Sequence, residues 1–82
     1  MNERIRSILE HILEDAKDII TFSQSVDTLE ELRKNSLIKK AVVMSLLNIG
    51  ELASRLPKEF IDEHAQIPWR SMIGMRNFAA HG

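Results

Sequence analysis

The sequence predicts an all-α domain, a small antiparallel helical bundle, and three observations point there. Apolar residues recur three and four positions apart along most of the chain, no stretch alternates with the period of a strand, and both prolines fall between the periodic segments. The 82 residues read as a single domain, 1–82, with no internal repeat and no low-complexity tract. A domain this short buries only about two thirds of the surface its unfolded chain exposes. Association would therefore help it, and disulfides cannot, because there is no cysteine.

The first helix places Ile5, Ile8, Leu9, Ile12, Ala16, Ile19 and Ile20 on one face, with Glu3, Arg6, Glu10, Glu14 and Lys17 opposite. "SQSVDT" reads as a connection. Asp27 or Thr28 then caps a second helical stretch, whose Glu30 and Glu31 suit the positive end of its dipole. From Ser36 to Leu56 the pattern carries two apolar stripes. Ile38, Val42, Ser45, Leu46, Ile49, Ala53 and Leu56 form one; Val43, Met44 and Leu47 form the other, with Glu51 a turn later. Such a helix is buried on both sides, either by a second copy meeting Val43, Met44 and Leu47 in a homodimer interface or by its own bundle. Pro57 interrupts the helix, "KEFIDEH" is a short amphipathic turn or helix, and Pro68 suits the first turn of a last helix from Trp69.

Charge narrows the function. Eleven basic residues against twelve acidic ones give a net charge of -1, so no global field attracts nucleic acid and any phosphate-binding role is local. The opening "MNERIRSILEHILED" has charges in every turn, which argues against a signal peptide or membrane span and for a cytoplasmic protein with no membrane partner.

The most informative chemistry lies at the end. On an ideal helix, Trp69, Met72, Ile73 and Ala80 share an apolar side, and Arg76 projects into its middle. An arginine there snorkels, pairs with an acid, or receives an anionic ligand. Asn77 and His81, four apart, share a neighbouring face, so the amide can orient the imidazole. Arg76 and His81 diverge by roughly 140° on an ideal helix, and converge only if the arginine curls round, the helix ends near Gly82, or two chains build the site together. Arginine and histidine suit metal-free RNA cleavage: imidazole takes or gives the proton, and guanidinium stabilises charge on phosphorus. One histidine cannot easily be both base and acid in one turnover; two chains offer two.

Other candidates compete with plainer readings. Glu51 is either the carboxylate that meets an Arg76 brought by a partner chain or a solvated helix residue. Asn48 is either a buried hydrogen-bonding group at the site or a structural amide. Arg33, Lys34, Lys39 and Lys40 are candidates for weak RNA-backbone contacts, although charged pairs at helix starts are usually just solvated. His11 and His64 fit no metal-ligand spacing with each other or with His81 and read as surface residues, so no metal and no cofactor are expected. Met44, Met72 and Met75 read as core and interface filler, and Gly50 and Gly74 as places of close helix packing.

At "RNFAAH", with Arg76, Asn77 and His81, the sequence resembles the HepT-like branch of the HEPN domains, whose signature is arginine, a polar residue, three more and histidine. "ILEHILED", "NIGELASRLPKEF" and "IPWRSMIGMRNFAAHG" extend the resemblance along most of the chain, in order. The resemblance implies a HEPN-like bundle that forms a homodimer, a cleft where paired Arg and His motifs cut RNA without a metal, and a toxin–antitoxin module in which the partner is a minimal nucleotidyltransferase antitoxin. It also implies a tyrosine two residues after the motif histidine and a helical segment beyond it. Here Gly82 follows His81, so the chain is expected to be short at its C-terminal end. The expected activity is a metal-independent endoribonuclease with Arg76, Asn77 and His81 as its catalytic set. The alternatives are a non-catalytic module that binds a nucleotide or a nucleotidyltransferase, and an inactive truncated remnant.

Overall fold

The computed structural model describes the backbone of residues 2–81 and the side chains of residues 2–77. Within them the chain forms α1 (Glu3–Ser23), α2 (Leu29–Lys34), α3 (Ser36–Ser54), α4 (Lys58–Glu63) and α5 (Trp69–His81), with no strand among the described residues. The all-α expectation holds.

Three helices begin where a short polar side chain satisfies an orphan amide. Asn2 Oδ1 accepts from the Ile5 amide at 2.8 Å to open α1. Of the two candidates for α2, Thr28 is the cap: its Oγ1 accepts from the Glu31 amide at 3.1 Å, while Glu31 Oε2 reaches back to the Asp27 amide at 2.8 Å. The two bonds together fix the start of α2, a variant of the capping box in which the carboxylate reaches the residue before the cap. Asn35 closes α2 and opens α3, its Oδ1 accepting from the Ile38 amide at 3.0 Å. The third helix ends at Ser54, two residues before the sequence pattern ran out, because Leu56 is apolar and buried without being helical.

α3 is the central element, with α1 and α5 both packed on it and α2 touching it. Ile5 and Ile8 of α1 meet Ala53 of α3, Leu56 just beyond it, and Trp69 of α5, so the start of α1 and the start of α5 both lie at the end of α3. Both neighbours are therefore antiparallel to α3. Leu52, Phe60, Ile61, Met72 and Ile73 close over this cluster. Trp69 is anchored at its polar edge as well, its indole N–H donating to the His64 carbonyl at 3.1 Å. His64 is thus not a plain surface residue: its ring is half-buried and lies 4.4 Å from that of Phe60.

The second stripe of α3 looks away from this core. Val43 and Leu47 are half-buried, and Met44 is 57% exposed in the single chain.

Candidate functional site

The site is set by a close helix crossing. A Cβ at Gly50 would lie 2.7 Å from Arg76 Cβ, 2.9 Å from the Met72 carbonyl oxygen and 3.0 Å from the Arg76 amide nitrogen. Only glycine permits α5 to pass this near α3. The same cannot be said of Gly74, where an added Cβ meets nothing within 4 Å, so its expected role in close packing is corrected.

The crossing brings Arg76 beside the residue after Gly50. Arg76 Nη1 donates to Glu51 Oε1 at 3.3 Å, within one chain, whereas the sequence reading looked to a partner chain for this meeting. The two side chains are 35% and 44% exposed. Such a pair is screened by water, so it orients the guanidinium more than it stabilises the fold. It engages one of the five N–H donors of the arginine, and a phosphate takes two in parallel.

Glu51 also lines a cleft of about 330 Å³ between α1 and α3, walled by His11, Glu14 and Asp15 on one side and Asn48, Leu52 and Arg55 on the other. Asn48 is exposed here, not buried as one reading of its apolar surroundings expected. Burial, helped by the neighbouring charges of Asp18 and Glu14, pushes the Asp15 carboxyl above the ordinary aspartate value; His11 and the Asn48 side chain oppose that shift. His11 Nδ1 lies 2.7 Å from the Ser7 carbonyl oxygen.

His11 and Asp15 were not recognised as cleft residues from sequence. Their signal is a histidine and an aspartate four apart on the polar flank of α1, legible only once α1 is known to lie antiparallel against Asn48 and Glu51. Among the described residues, no three His, Asp or Glu side chains are grouped to hold a metal ion.

The remaining candidates are distributed. Asn77 is exposed, one residue beyond Arg76. His81 ends α5, and its side chain lies outside the described side chains. Arg33 and Lys34 pair with Glu30 on the solvent face of α2, at 3.7 and 3.9 Å. Lys39 and Lys40 are exposed in the first turns of α3, and the rise of a helix puts Lys40 about 16 Å from Glu51. These four cations are not brought together with Arg76. Val43, Met44 and Leu47 occupy the outward face of α3 in the two turns before Glu51.

Comparison with known proteins gives a consistent picture. Residues 5–82 match the family described as Ribonuclease HepT-like. A protein named "Putative RNase MJ0127" from Methanocaldococcus jannaschii is 40% identical over 77 residues, which is 94% of this chain and 63% of that protein. "Putative RNase TTE0752" from Caldanaerobacter subterraneus subsp. tengcongensis is 37% identical over 76 residues, 93% of this chain and 67% of its own length. "Probable ribonuclease HepT" from Thermococcus cleftensis is 31% identical over 81 residues, 99% of this chain and 73% of its own. The chain thus spans roughly two thirds of the length of the curated relatives it matches. No solved structure matches it.

Proposed function

The chain belongs to the ribonuclease HepT-like family, and on that premise we propose that it is a metal-independent endoribonuclease that cuts RNA by attack of a ribose 2′-hydroxyl. The observation that carries this reading is the setting of Arg76. A half-exposed guanidinium, held at one nitrogen by Glu51 beside a polar cleft, is pre-positioned for a phosphate without being buried for stability. Arg76 clamps the scissile phosphate and stabilises the charge that develops on it. His81 takes the proton from the 2′-hydroxyl, and Asn77, one turn earlier on the same helix, orients it.

The names of the relatives support an RNA substrate, each of the three being called an RNase or ribonuclease. The reading carries with it a homodimer through Val43, Met44 and Leu47, a toxin role in the cytoplasm, and a minimal nucleotidyltransferase antitoxin as partner. No described helix is long and apolar enough to cross a membrane.

The test is cleavage of mixed cellular RNA in excess chelator. The parent chain should cut, and His81→Ala should lose on the order of 10²-fold or more in rate while RNA affinity stays within a few-fold. Arg76→Ala should lose both rate and affinity. A folded parent that binds RNA without cutting it, and loses that binding only with Arg76→Ala, would replace the enzyme by a binding module.

A further inference from the structure

Resting on the ribonuclease reading above, we propose that His11 is a second catalytic residue of the cleft, its Nε2 protonating the 5′-oxygen that leaves when the RNA strand is cut. Placement comes first. His11 walls the same α1–α3 cleft as Glu51, and Glu51 holds the Arg76 guanidinium, so the imidazole and the guanidinium have Glu51 as a common neighbour.

Orientation comes second. A carbonyl oxygen only accepts, so the 2.7 Å contact to Ser7 requires Nδ1 to carry the hydrogen. That bond fixes the ring on its own helix and leaves Nε2 as the nitrogen that exchanges a proton. The cleft completes the case through its charges. Glu14 and Asp15 from α1 and Glu51 from α3 line the cleft with the ring, against Arg55 from α3 and, through Glu51, Arg76 from α5. The attraction between His11 and Asp15 is felt at the carboxyl, where it opposes the upward push of burial.

The chemistry needs such a group. His81 takes the 2′-hydroxyl proton, the 2′-oxygen bonds to phosphorus, and the bond from phosphorus to the 5′-oxygen breaks. The departing oxygen takes the proton from His11 Nε2, giving a 2′,3′-cyclic phosphate and a free 5′-hydroxyl. Exchange with water then returns a proton to His11 and removes one from His81.

The experiment compares the parent with His11→Gln on a short RNA of mapped cleavage site and on the same RNA with sulfur replacing the leaving 5′-oxygen. A thiolate departs without protonation. His11→Gln should slow the oxygen substrate on the order of 10²-fold, cut the sulfur substrate within a few-fold of the parent, and lose the alkaline limb of the pH–rate profile. His11→Asn, which keeps an amide donor for the Ser7 carbonyl, should behave alike, and both variants should melt as the parent does because His11 is exposed. A variant that cuts the oxygen substrate at the parent rate with both limbs intact, or that is equally slow on both substrates, overturns the assignment of His11 alone. A folded parent that cuts neither substrate overturns the ribonuclease reading, and His11 with it.

Discussion

The two helical glycines show how little a residue type says without its neighbours. At Gly50 an added methyl would press on the Met72 carbonyl and the Arg76 backbone, which cannot swing aside as a side-chain tip can. Overpacking costs about 1–3 kcal/mol, against a helix-propensity gain of about 1 kcal/mol for alanine. Gly50→Ala should therefore lower stability in urea unfolding and, by displacing Arg76, reduce RNA cleavage as well. Gly74→Ala meets nothing, and should raise stability by roughly 0.5–1 kcal/mol. Both glycines break a helical pattern in the same way on paper; only the register of α5 on α3 separates them. Arg76 was legible because its place on an apolar face demanded a partner, but Glu51, 25 residues away, became that partner through the Gly50 crossing. Asp15 gives a pH signature. Its raised value means the folded state binds a proton more readily than the unfolded one, so this residue's contribution to stability falls as pH rises from about 4 through the raised value. Asp15→Asn should raise the melting temperature at pH 7 and leave it nearly unchanged at pH 3.

At the scale of elements, periodicity and capping chemistry carried most of the fold. The apolar stripe of α1, the two stripes of α3 and Pro68 before α5 were all legible, since each depends on residues close in sequence. Boundaries were less so. Leu56 extends the periodic pattern because it packs in the core, while the helix itself stops at Ser54 and the chain turns ahead of Pro57. Asn35 is the most economical of the caps, because one residue both ends α2 and starts α3. Asn35→Ala removes the acceptor for the Ile38 amide and should cost about 1 kcal/mol, seen as a lower urea midpoint. Asn35→Asp should stay within a few tenths of that energy of the parent, since a carboxylate accepts the same bond and favours the positive end of the helix. α2 buries none of its residues, so its own cap matters locally: Thr28→Ala should speed amide exchange in α2 and leave the global midpoint almost unmoved.

The whole molecule is long for its size. Its Cα radius of gyration is 13.9 Å, against about 11.7 Å for a compact domain of this length. The buried cluster gathers where α1 begins and α3 ends, while Ile20, Leu37 and Met44 stay exposed toward the other end. This distribution favours association, and the second stripe of α3 is where a second copy gains most. Val43 and Leu47 are half-buried and Met44 is open, all on one face and within about two turns of Glu51. A two-fold interface there would set two Arg76–Glu51 pairs beside one another. The sequence left two covers for this stripe, a partner or the bundle itself, because periodicity records that a face is apolar and not what lies against it. The exposure of Met44 now makes the alternatives separable. Changing Met44→Lys and Leu47→Lys together removes no residue of the buried cluster, so the variant should keep its helical circular dichroism. Sedimentation should show a dimer for the parent and a monomer for the variant, and cleavage should fall with the loss of the second chain. A parent that sediments as a monomer and cuts RNA would dispose of the dimer while leaving the Arg76 cleft intact, and would throw the whole of the proton transfer onto residues of one chain.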